Sequence, residues 1–204
     1  MFTGIVQGKA KIIDIENFED LKRFKVEFPT DALKGLQQGA SISLNGVCLT
    51  VTEYSITSSI AKFDVMIETL SVTNLNMLNI SDSVNYERAA TFGKEIGGHV
   101  MSGHISDTVT LLKRIETETN CELVFSISDK LQKYVLPKGF VGLNGCSLTI
   151  GSGVTDQFSV YLIPETLNMT NFGTMSEGDI VNLEIDPQTQ AIVDTVERYL
   201  KRDQ

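Results

Sequence analysis

Two histidines are the side chains best suited to proton transfer near neutral pH. His99 and His104 are the only histidines of the chain and share the segment GGHVMSGHIS. Five residues apart, they point to opposite faces of an extended strand, and no Cys/His pair lies nearby, so no metal site is expected. Glycine at 97, 98 and 103 leaves room for another molecule to approach the backbone. By residue type alone, His104 fits either a proton-transfer group or a structural histidine.

Cys48 is the second candidate for chemistry. It lies in the apolar stretch NGVCLTV at 45–51, where a free cysteine is ordinarily a small buried hydrophobe. The other cysteines, Cys121 and Cys146, do not complete a disulfide framework with it, and an odd number suits a reducing compartment. We therefore expect three free thiols.

Composition excludes several classes of function. The net charge is −9 and there is no basic run, so nucleic acid is not an expected partner. No apolar run approaches the ~20 residues of a membrane span, and the opening MFTGIVQGKAKIID lacks the apolar core of a signal peptide. We expect a soluble, acidic, cytoplasmic protein without a membrane partner.

An internal repeat organises the chain. NGVCLTV at 45–51 returns as NGCSLTI at 144–150, and the correspondence extends in both directions with one two-residue gap. The other matching blocks are FTGIV at 2–6 with MSGHI at 101–105, ETLSVTN at 68–74 with ETLNMTN at 165–171, and DSVNYE at 82–87 with DIVNLE at 179–184. Blocks kept in order predict two homologous domains.

The two copies share some polar residues and differ at others. Shared residues would build the same binding half-site twice, or would only maintain strand ends and turns; differing residues would make the halves chemically unequal. The shared pairs are Thr50/Thr149, Glu68/Glu165, Thr69/Thr166 and Asn85/Asn182. The differing pairs are Ser41/Phe140, Cys48/Ser147, Ile5/His104 and Gly39/Lys138.

Each unit is predicted to be mostly β. Short runs rich in Val, Ile, Phe and Thr alternate with turn signals at Ala10–Ile15, Phe24–Phe28, Ser41–Leu44, Cys48–Thr52, Ala61–Ile67 and Val84–Glu87. The Asn-Gly pairs at 45 and 144 favour tight turns. Asp31–Leu36 and Asp129–Val135 have helical character. Six short strands in about 90 residues predict a small closed barrel, which leaves no exposed sheet edge.

The C-terminal tail has no counterpart in the first unit. Asp186-Pro187 is an N-cap followed by proline at the first helical position. The apolar residues that follow form one stripe of a helix: Ile192, Val193, Val196, Tyr199 and Leu200. This stripe either packs on the barrels or joins copies of the chain. The expected domains are 1–96, 97–185 and the helix 186–204, with the first boundary in the Gly-rich stretch Thr91–Gly98.

The motifs along the whole chain resemble those of riboflavin synthases, the alpha-chain enzymes of the lumazine-binding family. The segments that carry the resemblance are MFTGIV, SISLNGVCLTV, MIETL, GGHVMSGHIS, KGFVGLNGCSLTI, YLIPETL and IDPQTQAIVDTVERYL. The resemblance implies an all-β fold of two tandem six-stranded Greek-key barrels plus a C-terminal α-helix that assembles homotrimers.

The resemblance also implies the reaction. Two molecules of 6,7-dimethyl-8-ribityllumazine dismutate by four-carbon transfer to riboflavin and 5-amino-6-(D-ribitylamino)uracil, without a metal or organic cofactor. The active site would form between the N-terminal barrel of one subunit and the C-terminal barrel of a neighbour. Holding two copies of one substrate in similar half-sites replaces a slow encounter with an oriented pair. Lumazine synthase, which makes the substrate, is a candidate partner.

Site residues follow from the match to the family motifs. The first half-site would use Gly4, Ile5, Val6, Cys48, Leu49, Thr50, Asp64, Val65, Met66, Ile67, Glu68 and Thr69, with Gly103, His104 and Ile105. The second would use Lys138, Ser147, Leu148, Thr149, Tyr161, Leu162, Ile163, Pro164, Glu165 and Thr166. The candidate catalytic residues are His104, Ser41 and Cys48.

Two points qualify the resemblance. Asn144 stands where many family members have Asp, which would matter if that carboxylate orients a catalytic group but not if it only shapes the turn. The rival function is a non-catalytic lumazine or flavin protein that serves as a fluorescent antenna. The persistence of both histidines, Cys48, Lys138 and the DPQTQ tail favours the enzyme.

Overall fold

Two antiparallel barrels follow one another along the chain, as the repeat predicts. The computed structural model describes residues 1–93 and 95–202, so Lys94 in the predicted boundary and Asp203-Gln204 in the predicted tail lie outside the described residues. The first barrel contains β1 (Gly8–Asn17), β2 (Leu21–Glu27), β3 (Ser41–Leu44), β4 (Val47–Ser55), β5 (Ile60–Met66) and β6 (Ser83–Arg88). The second contains β7 (Asp107–Glu116), β8 (Cys121–Ser126), β9 (Phe140–Leu143), β10 (Cys146–Thr149), β11 (Gln157–Leu162) and β12 (Ile180–Ile185).

Strand order is the same in both barrels. The first closes in the order β1-β2-β5-β4-β3-β6. The second runs β10-β9-β12-β7-β8-β11, and its end strands meet only through an isolated bridge between Ile150 and Val160. The predicted fold of two six-stranded barrels is confirmed, with the second barrel nearly closed.

Each barrel has its own apolar core. Residues of each strand alternate between the interior and the outer surface, as in β5, where Ala61, Phe63 and Val65 are buried between partly exposed neighbours. Phe125 and Phe158 occupy the matching interior of the second barrel. The period of two therefore fixes which side chains are available to a ligand on the outer face.

The two Asn-Gly turns meet between the barrels. Asn45 and Asn144 adopt positive φ angles of 46° and 42°, which asparagine tolerates better than most residues. A Cβ atom on Gly46 would lie 2.8 Å from the Gly145 nitrogen, so the contact requires glycine at this position. The repeated dipeptide thus makes both the tight turns and the contact between the units.

One predicted helix is absent and another is shorter than expected. Asp31–Leu36 forms successive turns, because Asp31 and Gly35 both have positive φ and the run is too short to nucleate a helix. In the second barrel, α2 covers only Asp129–Gln132 of the predicted Asp129–Val135. Short helices that the sequence pattern missed follow β5 and β11: α1 (Ile67–Ser71) and α3 (Pro164–Met169). A 3₁₀ helix follows each of these, at Asn74–Met77 and Asn171–Thr174.

The C-terminal helix α4 (Pro187–Arg202) is present and capped as predicted. The Asp186 carboxylate accepts hydrogen bonds from the Gln188 and Thr189 amides. The polar side of α4 faces the second barrel, where Tyr134 bonds Asp194 and Lys133 pairs with Glu197. The apolar stripe instead remains exposed, at 65% for Ile192, 51% for Val196 and 67% for Tyr199, so it does not pack on the barrels of its own chain. No helix among the described residues is both long and apolar enough to cross a membrane.

Candidate ligand-binding clefts

Both barrels have an opening in the wall at the same place. β4 pairs with β5 only from Val51 onward, so Cys48–Thr50 and Asp64–Met66 separate from each other. We call this the first cleft. In the second barrel, Ser147–Thr149 of β10 and Tyr161–Ile163 at the end of β11 separate in the same way, beyond the Ile150–Val160 bridge. We call this the second cleft.

Backbone hydrogen-bonding groups line both clefts. Successive residues of a strand direct their N–H and C=O groups to alternate sides. The Val51 amide bonds the Ala40 carbonyl on the β3 side, so the Thr50 groups face the first cleft. The Ile150 amide bonds the Gly139 carbonyl, so the Thr149 groups face the second cleft. Such paired donors and acceptors suit the edge of a planar heterocycle.

The alternation separates the expected binding residues into two groups. Cys48, Thr50, Asp64 and Met66 have side chains on the outer face of the first barrel, whereas Leu49 and Val65 are 6% and 1% exposed and belong to the core. Ser147, Thr149, Tyr161 and Ile163 are the outer residues of the second barrel, and Leu148 and Leu162 are buried. The buried leucines and Val65 can offer a ligand only their main chain.

Helical and loop residues complete the surroundings of each cleft. Ile67, Glu68 and Thr69 are in α1, directly after the first cleft, and Pro164, Glu165 and Thr166 are in α3, directly after the second. Ser41 lies opposite Thr50 in the β3–β4 pair, so the two side chains share the outer face. Lys138 is exposed and has a positive φ of 67°.

Two segments cross between the barrels and change the expected grouping of residues. The Ser147 amide donates to the Gly4 carbonyl at 2.8 Å, and Val6 packs against the core of the second barrel. The Cys48 amide donates to the Gly103 carbonyl at 2.9 Å, and Ile105 packs against the core of the first. The segment 4–6, which the match to the family motifs grouped with the first half-site, thus lies against the second barrel, because the bridge between Phe2 and Met101 leads each segment onto the opposite barrel.

Buried carboxylates hold these crossing segments. Glu87 accepts hydrogen bonds from the Thr3 amide, the Thr3 hydroxyl and the Gly4 amide at 2.7–2.9 Å. Glu184 accepts the corresponding bonds from Ser102 and Gly103. Burial raises the pKa of both carboxyl groups, although these hydrogen bonds act in the opposite direction.

The two clefts differ in charge at matching positions. In the first, Arg23 of β2 forms a bidentate ion pair with Asp64, at 2.7 and 2.9 Å, and this hydrogen bonding lowers the pKa of the carboxyl group. In the second, the matching strand positions hold Glu122 and Tyr161, joined by a 2.9 Å hydrogen bond. The Asp64 side chain is thus occupied by Arg23, and only its main chain is available to a ligand.

Histidines stand near both clefts. His104 is exposed and directly follows Gly103, which places it beside Cys48 at the first cleft. His99 is buried, and its Nδ1 atom lies 2.6 Å from the Ser147 Oγ at the second cleft. Sequence reasoning left His99 out of the site. No sequence pattern pairs His99 with Ser147, because the two residues meet only where the segment that crosses between the barrels folds back.

Cavities elsewhere do not coincide with the clefts. A polar cavity of about 520 Å³ lies between the His104–Ser106 segment, α2 and the start of α4. It is lined by His104 but by none of the cleft strands, and its Lys130 and Lys133 are already paired with acidic residues. No group of three or more potential metal ligands occurs in residues 1–93 and 95–202.

Asn144 has a structural role in the fold. Its side chain is fully buried, and its Oδ1 accepts bonds from the Asn182 amide at 2.9 Å and from the Asn74 Nδ2 at 3.1 Å. These contacts join the turn to both units and do not reach either cleft. The structure thus favours the turn-shaping alternative for this position.

Comparisons with known proteins agree with this architecture. The family model described as the lumazine binding domain matches residues 3–89 and again 102–186. Riboflavin synthase of Escherichia coli (strain K12) is 52% identical over 201 residues, which cover 98% of this chain and 93% of that protein. Riboflavin synthase of Chlamydia pneumoniae is 40% identical over 98% of this chain and 97% of its own length.

Solved structures show the same fold. The crystal structure of LumP complexed with riboflavin has a TM-score of 0.84 and 29% identity, and covers 91% of this chain and 99% of that chain. LumP complexed with 6,7-dimethyl-8-(1'-D-ribityl) lumazine has a TM-score of 0.81 and 29% identity, over 90% and 98% of the two chains.

A duplicated barrel with matching clefts, together with both domain matches, defines the class of protein: the chain belongs to the lumazine-binding family. Within that family, its full-length similarity places it among the riboflavin synthases.

Proposed function

We propose that this chain converts two molecules of 6,7-dimethyl-8-ribityllumazine into riboflavin and 5-amino-6-(D-ribitylamino)uracil by four-carbon transfer. The observation that carries the proposal is the pair of equivalent clefts, each with free backbone groups on strands of matching sequence. One chain thus provides two places for the same heterocycle, as a reaction between identical molecules requires.

The outer residues of each cleft would bind the ligand. Main-chain groups of Thr50 and Thr149 would bind the pteridine edge, and Glu68, Thr69, Lys138 and Thr166 would bind its polar groups or the ribityl hydroxyls. Because the segments cross, we assign Gly4–Val6 to the second cleft and Gly103–Ile105 to the first.

The proposed chemistry needs proton transfer and addition. A proton leaves the C7 methyl group of one lumazine, while a nucleophile adds at C7 of the other. His104 is exposed at the first cleft and would move the proton. Cys48, or a water molecule held by Ser41, would assist the addition at the same cleft.

We infer that the active molecule is a homotrimer. The stripe on α4 would join subunits, because contiguous exposed apolar side chains mark interaction surfaces. Its exposed members are Ile192, Val196, Tyr199 and Leu200. The first cleft of one subunit would then face the second cleft of its neighbour. Three free cysteines support a reducing, cytoplasmic location, and lumazine synthase is a partner to be tested by co-sedimentation.

A direct assay tests the proposal. Purified protein given only the lumazine should generate riboflavin absorbance, with one riboflavin formed for every two lumazines consumed. The antenna function is not favoured, since riboflavin synthases match this chain at up to 52% identity over 98% of its length. Tight fluorescent binding with no product over hours would contradict the enzyme and restore that alternative.

A further inference from the structure

A histidine that the proposed mechanism does not use is packed against the second cleft. His99 is 8% exposed, and its Nδ1 atom lies 2.6 Å from Ser147 Oγ. Its ring stacks on Phe140, with centroids 5.3 Å apart and planes at 16°. Phe140 lies opposite Thr149 in the β9–β10 pair, so the stack stands on the outer face beside the cleft.

The backbone around His99 leaves it little freedom. A Cβ atom on Gly98 would lie 2.2 Å from the Thr3 carbonyl oxygen and 2.7 Å from Ser147 Cβ. A Cβ atom on Gly4 would lie 2.5 Å from the same Ser147 Cβ. Glycines are thus required on both sides of Ser147, and this close packing fixes the imidazole over the hydroxyl.

The first cleft has no equivalent arrangement. Cys48 replaces Ser147, and Ser41 replaces Phe140, so no ring is present against which an imidazole would stack. The histidine of the first cleft, His104, is exposed instead of buried. The two clefts therefore share their backbone groups but differ in how the side chain at position 48 or 147 is held.

We propose that His99 is a positioning residue that fixes the Ser147 hydroxyl toward the molecule in the second cleft and so makes the two clefts chemically unequal. The inference rests on the proposed function, because it concerns the lumazine bound there. Two identical substrates must act differently, and a difference in the protein at matching positions allows this.

The ionisation of His99 is consistent with this role. Burial lowers the pKa of its imidazole, and the nearby Asp186 carboxylate acts in the opposite direction. Depending on its tautomer, a neutral imidazole either accepts a hydrogen bond from the Ser147 hydroxyl at Nδ1 or donates one from Nδ1 to Oγ, and both arrangements fix the rotation of the hydroxyl. Among the described residues Nε2 has no hydrogen-bond partner, so the Ser147 contact is the polar interaction that holds the ring.

A double-mutant cycle tests the inference. Because one neutral hydrogen bond is removed, His99→Phe, which keeps the ring stack, should lower kcat about tenfold. Ser147→Ala should show a comparable loss, and the double variant no more than Ser147→Ala alone. His99→Asn should recover most of the activity, because its amide lies near the position of Nδ1. Titration with riboflavin should show weaker binding at one of two sites per chain.

Each other outcome has a defined meaning. Multiplicative losses in the double variant, or a His99→Asn variant no better than His99→Phe, would overturn the positioning role. If His99→Phe does not fold, His99→Asn against His99→Gln gives the same comparison, since Gln places its amide near Nε2 instead. A wild-type chain that binds riboflavin but makes none contradicts the proposed function, and its binding titration still tests His99.

Discussion

The Asn182 side chain donates a 2.8 Å hydrogen bond to the backbone carbonyl of Asn45, which joins the last strand of the second barrel to the first Asn-Gly turn. Its partner in the repeat, Asn85, donates the corresponding bond to the Asn144 carbonyl at 3.0 Å. Asn74 and Asn171 complete the set. The Asn74 backbone amide donates to Asn182 Oδ1 at 2.6 Å, and the Asn171 backbone amide donates to Asn85 Oδ1 at 2.7 Å. Two buried atoms of this network, Asn144 Nδ2 and Asn171 Oδ1, have no hydrogen-bond partner among the described residues. The bonds that are made favour this arrangement of the two barrels, because breaking them would leave further buried groups unpaired.

Removal of Asn182 should destabilise the whole chain. Asn182→Ala leaves the Asn45 carbonyl and the Asn74 amide without partners in a fully buried position. Each such group costs about 1–3 kcal/mol, so for the two groups we expect a loss of about 2–6 kcal/mol in the free energy of unfolding. Urea denaturation measures it. Asn76→Ala, at an exposed position on the same 3₁₀ helix as Asn74, is the matched control and should change little.

This network also shows what the sequence can predict. The repeat and the period-two pattern predict both barrels, and Asp186-Pro187 predicts α4, because these signals are local or repeated. The crossing of Gly4 and Gly103 to opposite barrels is not predictable from them. It depends on contacts between strands that are distant in sequence. The repeated sequence is the same whether each segment packs on its own barrel or on the other one.

Glu184 should give the stability a specific pH dependence. Its folded pKa is raised above the ordinary 4.5, so the folded chain holds this proton more tightly than the unfolded chain. The resulting stabilisation is fully present below the unfolded pKa and is lost as pH rises through the folded pKa. Glu184→Gln, which keeps an oxygen for the Ser102 and Gly103 donors, lacks this contribution.

Urea unfolding of both proteins at pH 4.5 and 7.5 measures the effect. The stability of the wild-type chain relative to Glu184→Gln should be greater at pH 4.5 than at pH 7.5. An equal difference at both pH values would show that the hydrogen bonds to the ionised carboxylate offset burial, and a larger difference at pH 7.5 would show that they outweigh it. Either result would contradict the raised pKa.

His104 should matter for turnover more than for binding. It is exposed beside Gly103 and contributes its amide, which donates to the Ser102 hydroxyl, to the local structure. His104→Ala leaves that backbone bond intact, so ligand affinity by fluorescence titration should be retained. Loss of a general acid–base group lowers rates by about 10²–10⁴-fold. Unchanged turnover would remove His104 from the mechanism.

The apolar stripe of α4 should hold the proposed trimer together. Val196 is 51% exposed on this stripe, and Glu at that position would bury a charge wherever the stripe meets another subunit. Sedimentation velocity should show trimers for the wild-type chain and monomers for Val196→Glu. Ala191→Glu adds the same charge at an exposed position about 140° around the helix from Val196, and should stay trimeric. Trimers of Val196→Glu, or of a chain truncated after Ile185, would mean that the barrels and not the helix join the subunits.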